Sequence, residues 1–146
     1  MTQTHMPIRI RPAAKADEAF ILSSWKLSYL DAPINAWARA TESGRGAYYA
    51  YMNAQLPRIM AQARTIVAHN PIDNEHLFGW ACATANLVHY VYVKSDYRRD
   101  SIAERLLTSL HLPRDCDLVA TAWTSVCEEQ RYCKAQFAPG RLGDAA

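Results

Sequence analysis

Glycine is scarce in this chain, with five in 146 residues, and so is any excess of charge of one sign. Sixteen Lys and Arg stand against fourteen Asp and Glu, a net charge of +2. That excess argues against a protein that coats nucleic acid and leaves room for a local basic groove. No apolar run approaches the roughly 18–20 residues of a membrane-spanning helix, so no membrane partner is expected. Met1 to Met6 is polar and lacks the apolar stretch of a secretory signal, so a cytoplasmic location is expected. No CxxC pair occurs among Cys82, Cys116, Cys127 and Cys133. Reduced structural thiols are therefore expected, with neither a zinc cluster nor a disulfide framework. Repeats, low-complexity tracts and linkers are absent, which makes residues 1–146 a single domain. What is present is half hydrophobic and 10% aromatic, enough for a real core.

The order of elements carries the fold reading. Ile8 to Arg11 alternates Ile and Arg and reads as a half-buried strand. Lys15 to Leu30 reads as a helix, with Asp17 and Glu18 in its first turn. Ile21, Leu22, Trp25 and Tyr29 share one face. Asp31 to Pro33 breaks it. A second helix follows Gly44 and Gly46, with Pro57 expected to kink or divide it. Arg64 to His69 contains a short strand, and Asn70 to Asn74 has turn chemistry. His76–Thr84 and Leu87–Lys94 then read as an antiparallel hairpin. A clean apolar stripe of Ile102, Ala103, Leu106, Leu107 and Leu110 marks a helix between Arg99 and His111. Leu118 to Trp123 reads as a strand, and Thr124 caps a final helix running towards Lys134. The strand–helix–strand unit implies a parallel pair. The class is α+β, a mixed, mostly antiparallel sheet with helices on both faces.

The segment from Val91 to Ala103 carries the chemistry. A buried strand ends, a polar loop with Arg98 and Arg99 follows, and an amphipathic helix begins. A helix N-terminus offers unpaired N–H groups and the positive end of a dipole, a cradle for phosphate. The same pattern also describes a plain strand–loop–helix connection with two solvated arginines.

This segment resembles the cofactor motif of the GCN5-related N-acetyltransferase (GNAT) superfamily. That motif runs as a valine at a strand end, a loop with Tyr-Arg, then Gln/Arg-x-x-Gly-x-Gly/Ala opening a helix. Val93, Tyr97, Arg98, Ile102 and Ala103 fall in those positions, and the element order matches from Ile8 to about Phe137. The early Ser24–Trp25 pair and the run His89 to Lys94 also resemble small phage-encoded acetyltransferase-like proteins. The resemblance implies an acyltransferase that moves an acetyl group from acetyl-CoA, or from another acyl-CoA, to a primary amine by direct attack. Pantetheine would run along Val91, Tyr92 and Val93. The pyrophosphate would sit on Arg98, Arg99, Asp100, Ser101, Ile102 and Ala103. The sheet would splay between Leu87–Lys94 and Leu118–Trp123 to admit the cofactor. Tyr132 to Phe137 is similar to the family's Tyr-x-Lys-x-Gly-Phe ending, which implies Tyr132 as the acid for the departing thiolate. His89 is the candidate base, with His76 and Glu75 behind it, and a hydrogen-bonded strand histidine is the competing reading. Trp25, Tyr29 and Asp31 are candidates for the acceptor side, where aromatics with one carboxylate suit a cationic amine. Packing alone would also account for those aromatics.

The sequence departs from the family pattern at two places. Ser101 replaces the first motif glycine, and the C-terminal part is short of the family's two further strands. The last strand is then missing or supplied by a partner chain, which leaves a homodimer open. These departures keep a second reading in view, a degenerate CoA-binding or partner-binding protein. A nucleic-acid-modifying enzyme on the same scaffold is a third, less favoured than a small-molecule or protein amine acceptor.

Overall fold

The structure, a computed structural model, describes residues 6–84, 87–98 and 100–111 and the backbone of 118–120 and 135–137. Strand β1 (Arg9–Pro12) pairs antiparallel with β2 (Arg64–Asn70), β2 with β3 (Asp73–Thr84), and β3 with β4 (Leu87–Val93). Then β4 pairs in parallel with β5 (Leu118–Ala120), and β5 in parallel with β6 (Ala135–Phe137). Strand order follows chain order across the sheet. The helices are α1 (Glu18–Leu30), α2 (Ala36–Ala40), α3 (Glu42–Gln62) and α4 (Ile102–Ser109).

Period-2 alternation on β3 and β4 divides the interior into two layers. Trp80, Cys82 and Tyr90 face α1, α2 and α3, where they meet Ile21, Trp25, Tyr48 and Met52. Ala81, Val88 and Val93 face the opposite way, onto Ile102 and Leu106 of α4 and Leu110 just past its end. The α+β sheet with helices on both faces is therefore as expected, and so is the parallel pair around α4.

Hydrogen bonds fix how the layers sit. Trp80 on β3 donates its Nε1 proton to Ser24 Oγ at 2.8 Å, a buried bond. Ser24 passes its own proton to the Phe20 carbonyl, and one turn on Ser28 donates to Ser24 O. Two serines four residues apart thus form a polar seam in an otherwise apolar helix face, and Ser24 sets α1 on β3. At the sheet's other side Arg11 grips Asp17 with both terminal nitrogens and also donates to Asn74 O. That grip, ahead of the Ala14 N–H, holds the buried Asp17 carboxyl below its ordinary pKa.

Several boundaries differ from the sequence reading. Helix α3 runs unbroken through Pro57, which was expected to kink or divide it. Pro57 is exposed, so the hydrogen bond it forfeits faces water, while buried Leu56 and Ile59 hold the helix on the sheet. The extra helix α2 follows a 3-10 turn at Pro33–Asn35. Arg39 donates to the carbonyls of Leu30 and Ala32, and Asn35 to that of Tyr29, so the corner is held by side chains. Strand β6 at Ala135–Phe137 also goes beyond the sequence reading. The expected final helix from Thr124, with Cys116, Cys127 and Cys133, lies outside the described residues.

Gly79 lies opposite Val93 in the β3–β4 pair. A Cβ there would stand 2.4 Å from the Tyr92 carbonyl oxygen and 3.1 Å from Val93 Cα. Both are backbone atoms, so only movement of β4 could relieve the clash. Gly79→Ala should cost about 1–3 kcal/mol, read as a lowered denaturant midpoint with an unchanged slope.

Candidate cofactor and acceptor site

The antiparallel register decides which β4 groups are free. Lys94 N donates to Phe78 O, so Phe78 and Lys94 form a hydrogen-bonded pair. Residues two apart repeat the pattern, which places Tyr92 and Tyr90 in bonded pairs with Trp80 and Cys82. Val91 and Val93 therefore turn their backbone N–H and C=O away from β3, towards the β5 side. An extended amide chain could pair with them there. Arg98 already uses this edge, because its Nε donates to Val93 O at 2.9 Å. That bond orients the guanidinium, and among the described residues its terminal nitrogens make no other hydrogen bond. In the described part, β4 and β5 pair only at Leu87 with Val119 and Val88 with Ala120. The expected splay falls beyond those residues.

After β4, a 3-10 turn at Ser95–Tyr97 carries the chain to α4. Tyr97 seats this loop: its ring packs 4.6 Å from Phe78, and its hydroxyl lies 3.4 Å from His76 Nε2. The first intrahelical bond of α4 runs from Arg105 N to Ser101 O. The N–H groups of Ile102, Ala103 and Glu104 thus precede the helical ladder, and the Ser101 side chain makes no capping bond. Ile102 and Leu106 are buried against the sheet, and Arg105 donates to Met6 O. The helix end is therefore held rigidly while its first amides stay open. Residues 94–104 carry three basic side chains (Lys94, Arg98, Arg99) and three acidic ones (Asp96, Asp100, Glu104). With charges of both signs balanced, the attraction this loop can offer an anion comes chiefly from the oriented amides and the helix dipole. Arg99 is outside the described residues.

Ser101 explains the glycine preference at its position. It has φ 58° and ψ 25°, the left-handed region. A Cβ in that region costs about 1–2 kcal/mol, whereas glycine enters it freely. The departure from the motif is thus tolerated by the backbone at a cost in local strain.

His89 sits at a β-bulge, because Ala83 opposes Val88 while Cys82 opposes Tyr90. Its side chain is 1% exposed, and its Nε2 lies 3.0 Å from Thr84 Oγ1. This is the setting of a hydrogen-bonded strand histidine. Glu75 is exposed at the start of β3, and His76 is bound up with the Tyr97 loop. Tyr132 lies outside the described residues. On the acceptor side, Trp25 is fully buried, 5.0 Å from Trp80 and 5.7 Å from Tyr90 between ring centroids. It packs as core and presents no face to solvent. Tyr29 is also buried, edge-on to Tyr90, while Asp31 is exposed at the end of α1.

Tyr90 was not singled out from the sequence. Burial raises its phenol pKa, the Ser28 hydrogen bond opposes this, and Arg98 and Asp31 act on it with opposite signs. Its ring packs against Trp25, Tyr29 and Trp80, one residue after the bulge. The signal in the sequence was the Ser24–Ser28 pair at helical spacing opposite alternating Tyr90 and Tyr92. Cys82 is buried beside Thr65 and its thiol is pushed up to about 11, the setting of an inert structural thiol.

The chain matches no protein-family model and no curated protein. Solved structures do match. A GCN5-related N-acetyltransferase from Rhodopseudomonas palustris aligns with a TM-score of 0.54 at 16% identity, over 76% of this chain and 68% of that one. This chain has the GNAT fold. A structure described as histone acetyltransferase HPA2 and related acetyltransferase, from Corynebacterium glutamicum, aligns with a TM-score of 0.50 at 17% identity, over 71% and 70% of the two chains. YjaB from Escherichia coli aligns with a TM-score of 0.50 at 19% identity, over 71% of this chain and 64% of that one. Among the described residues no helix is long and apolar enough to cross a membrane, and no group of His, Cys, Asp and Glu could hold a metal ion.

Replacing Ser101 by glycine should relieve the left-handed strain. We expect Ser101→Gly to stabilise the protein by about 1 kcal/mol, a rise in melting temperature of about 2–4 °C in a scanning calorimeter.

Proposed function

We propose that this protein is an acetyl-CoA-dependent N-acetyltransferase that acts on a primary amine in a ternary complex. The observation that carries this reading is the joint layout of two backbone features. The outward-facing amides of Val91 and Val93 lead directly to the open N–H groups of α4. An extended pantetheine arm would pair with the first, and a pyrophosphate would be held by the second. When bound, acetyl-CoA supplies the thioester and its leaving thiolate. The chain's own residues then orient it: Arg98, held by Val93 O, steadies the phosphate end, and Tyr97 keeps the loop on the sheet. The cytoplasm is the proposed location. Assembly as a homodimer belongs to the same proposal, with a partner chain extending the sheet.

The test is titration of CoA and acetyl-CoA by calorimetry. Arg98→Ala combined with Ser101→Glu removes a cation and adds an anion at the phosphate cradle. Affinity should fall by at least about tenfold, 1.4 kcal/mol, in protein that keeps its circular dichroism spectrum. Unchanged affinity would overturn the cofactor assignment.

Proton handling divides between Tyr132 as acid and either His89 or the solvent as base. The burial of His89 favours the solvent, with the acceptor entering as the neutral amine. On that assignment kcat/KM climbs with pH towards the amine's own pKa, and His89→Gln keeps the profile. A plateau in the histidine range that His89→Gln abolishes would instead make His89 the base. Tyr132→Phe should lower kcat by about 10²–10⁴-fold without weakening CoA binding.

A further inference from the structure

The turn between β2 and β3 reaches the loop ahead of α4 through side chains. Asn70 ends β2, and its Oδ1 accepts the Ile72 N–H at 3.1 Å. That contact turns its Nδ2 group towards His76 Nδ1, 3.4 Å away. An amide nitrogen only donates, so Nδ1 accepts, and the neutral ring carries its one proton on Nε2. Nε2 then donates to the Tyr97 hydroxyl oxygen at 3.4 Å. The His76 ring also lies edge-on to Phe78 and to Tyr97, with centroids 4.9 Å and 6.2 Å away. Tyr97 is the centre of the loop: its N–H donates to Lys94 O, and its carbonyl accepts from Asp100 N. Arg98 follows it directly. One imidazole thus joins the hairpin turn to the candidate phosphate loop.

These hydrogen bonds suit a neutral ring. A second proton would go to Nδ1, which would then aim a donor at the Asn70 donor. Asn70 can offer His76 its oxygen only by giving up the Ile72 N–H of a tight turn. Charged groups on the neighbouring elements are engaged elsewhere or exposed. On β1, Arg11 holds Asp17 and the Asn74 carbonyl. On β2, buried His69 donates from Nδ1 to Asn70 O. Lys94, just past β4, lies over the Phe20 ring, and Arg105 of α4 donates to Met6 O. Asp73, Glu75, Asp96 and Glu104 are exposed, and Asp100 is half-buried. Among the described residues none of these carboxylates forms an ion pair with His76. Protonation therefore sets two donors face to face, with no salt bridge to offset the loss.

We propose that His76 is a positioning residue that makes the seating of the Ser95–Tyr97 loop depend on pH: the neutral ring holds Tyr97, and the protonated ring releases it. The consequence for CoA rests on the cofactor reading above, whereas the seating of Tyr97 does not. Two measurements separate them. The first follows carbon-13-labelled tyrosine by NMR without CoA, from about pH 8 to about pH 5.5, where an imidazole gains its proton. Tyr97→Phe identifies the Tyr97 signal, which should move in step with the His76 Cε1–H signal. The second is calorimetric titration of CoA at the two ends of that range. The phosphates of CoA and His69 also titrate there, so the reference is His76→Gln, which keeps both and cannot take up the proton. The wild-type protein should lose about three- to tenfold more affinity on acidification than His76→Gln, the scale of one hydrogen bond. Asn70→Asp should abolish that excess, because its second oxygen accepts a protonated Nδ1 while the first keeps the Ile72 N–H. Equal losses in the wild type and His76→Gln would overturn the proposal. So would an Asn70→Asp protein with the wild-type excess, or a Tyr97 signal that stays still while His76 titrates. Coupled NMR signals without CoA binding at either pH would keep the His76 latch and overturn the cofactor reading instead.

Discussion

The approach of β4 to Gly79 is the constraint on which the rest of the site depends. A side chain at that position would press on the Tyr92 carbonyl and on Val93 itself. With hydrogen alone there, β4 stays in register to its end, and Lys94 closes the last bond to Phe78. Register in turn dictates that Val91 and Val93 present their amides outwards. The same strand end launches the loop that carries Arg98 and the first turn of α4. One missing methyl group thus fixes the direction of two sets of hydrogen-bonding groups.

Rigidity around that strand comes from opposite faces by different means. On the α4 side it is apolar packing of Ile102, Leu106 and Leu110, with Arg64 donating to the Leu110 carbonyl and Arg105 to that of Met6. On the α1 side a large aromatic stack of Trp25, Trp80 and Tyr90 supplies area, while Ser24 and Ser28 supply direction. Apolar contacts alone would let α1 slide along the sheet. The buried indole N–H has one good acceptor, Ser24, so the helix has one favoured position.

The corner at the end of α1 follows from that placement. With α1 set by its serines, Tyr29 lands on Tyr90 and Asp31 emerges at the corner that Asn35 and Arg39 hold. The corner is made of hydrogen bonds to carbonyls and leaves its carboxylate free of an ion pair among the described residues.

Patterning in the chain was enough to determine the layered α+β architecture. Alternation along Leu87–Lys94, the turn residues after Asn70 and the stripe from Ile102 to Leu110 each depend on neighbours close in sequence. The motif from Val93 to Ala103 was legible for the same reason, since a strand end, a loop and a helix start are consecutive. Pro57 misled because propensity is local, whereas its exposure, which makes the lost hydrogen bond cheap, depends on how α3 lies on the sheet. Tyr90 went unnoticed because its importance comes from Ser28, Asp31 and Arg98, which only folding brings near it. For His89 the sequence left a base and a hydrogen-bonded strand histidine both open, and only the fold shows its burial at the bulge and its bond to Thr84. Sequence determined which segments could be strands, helices and an anion cradle, because those depend on local periodicity and backbone chemistry. Tertiary structure alone decided which side chains are buried and which charges go unpaired, because burial and pairing are set by residues far apart along the chain.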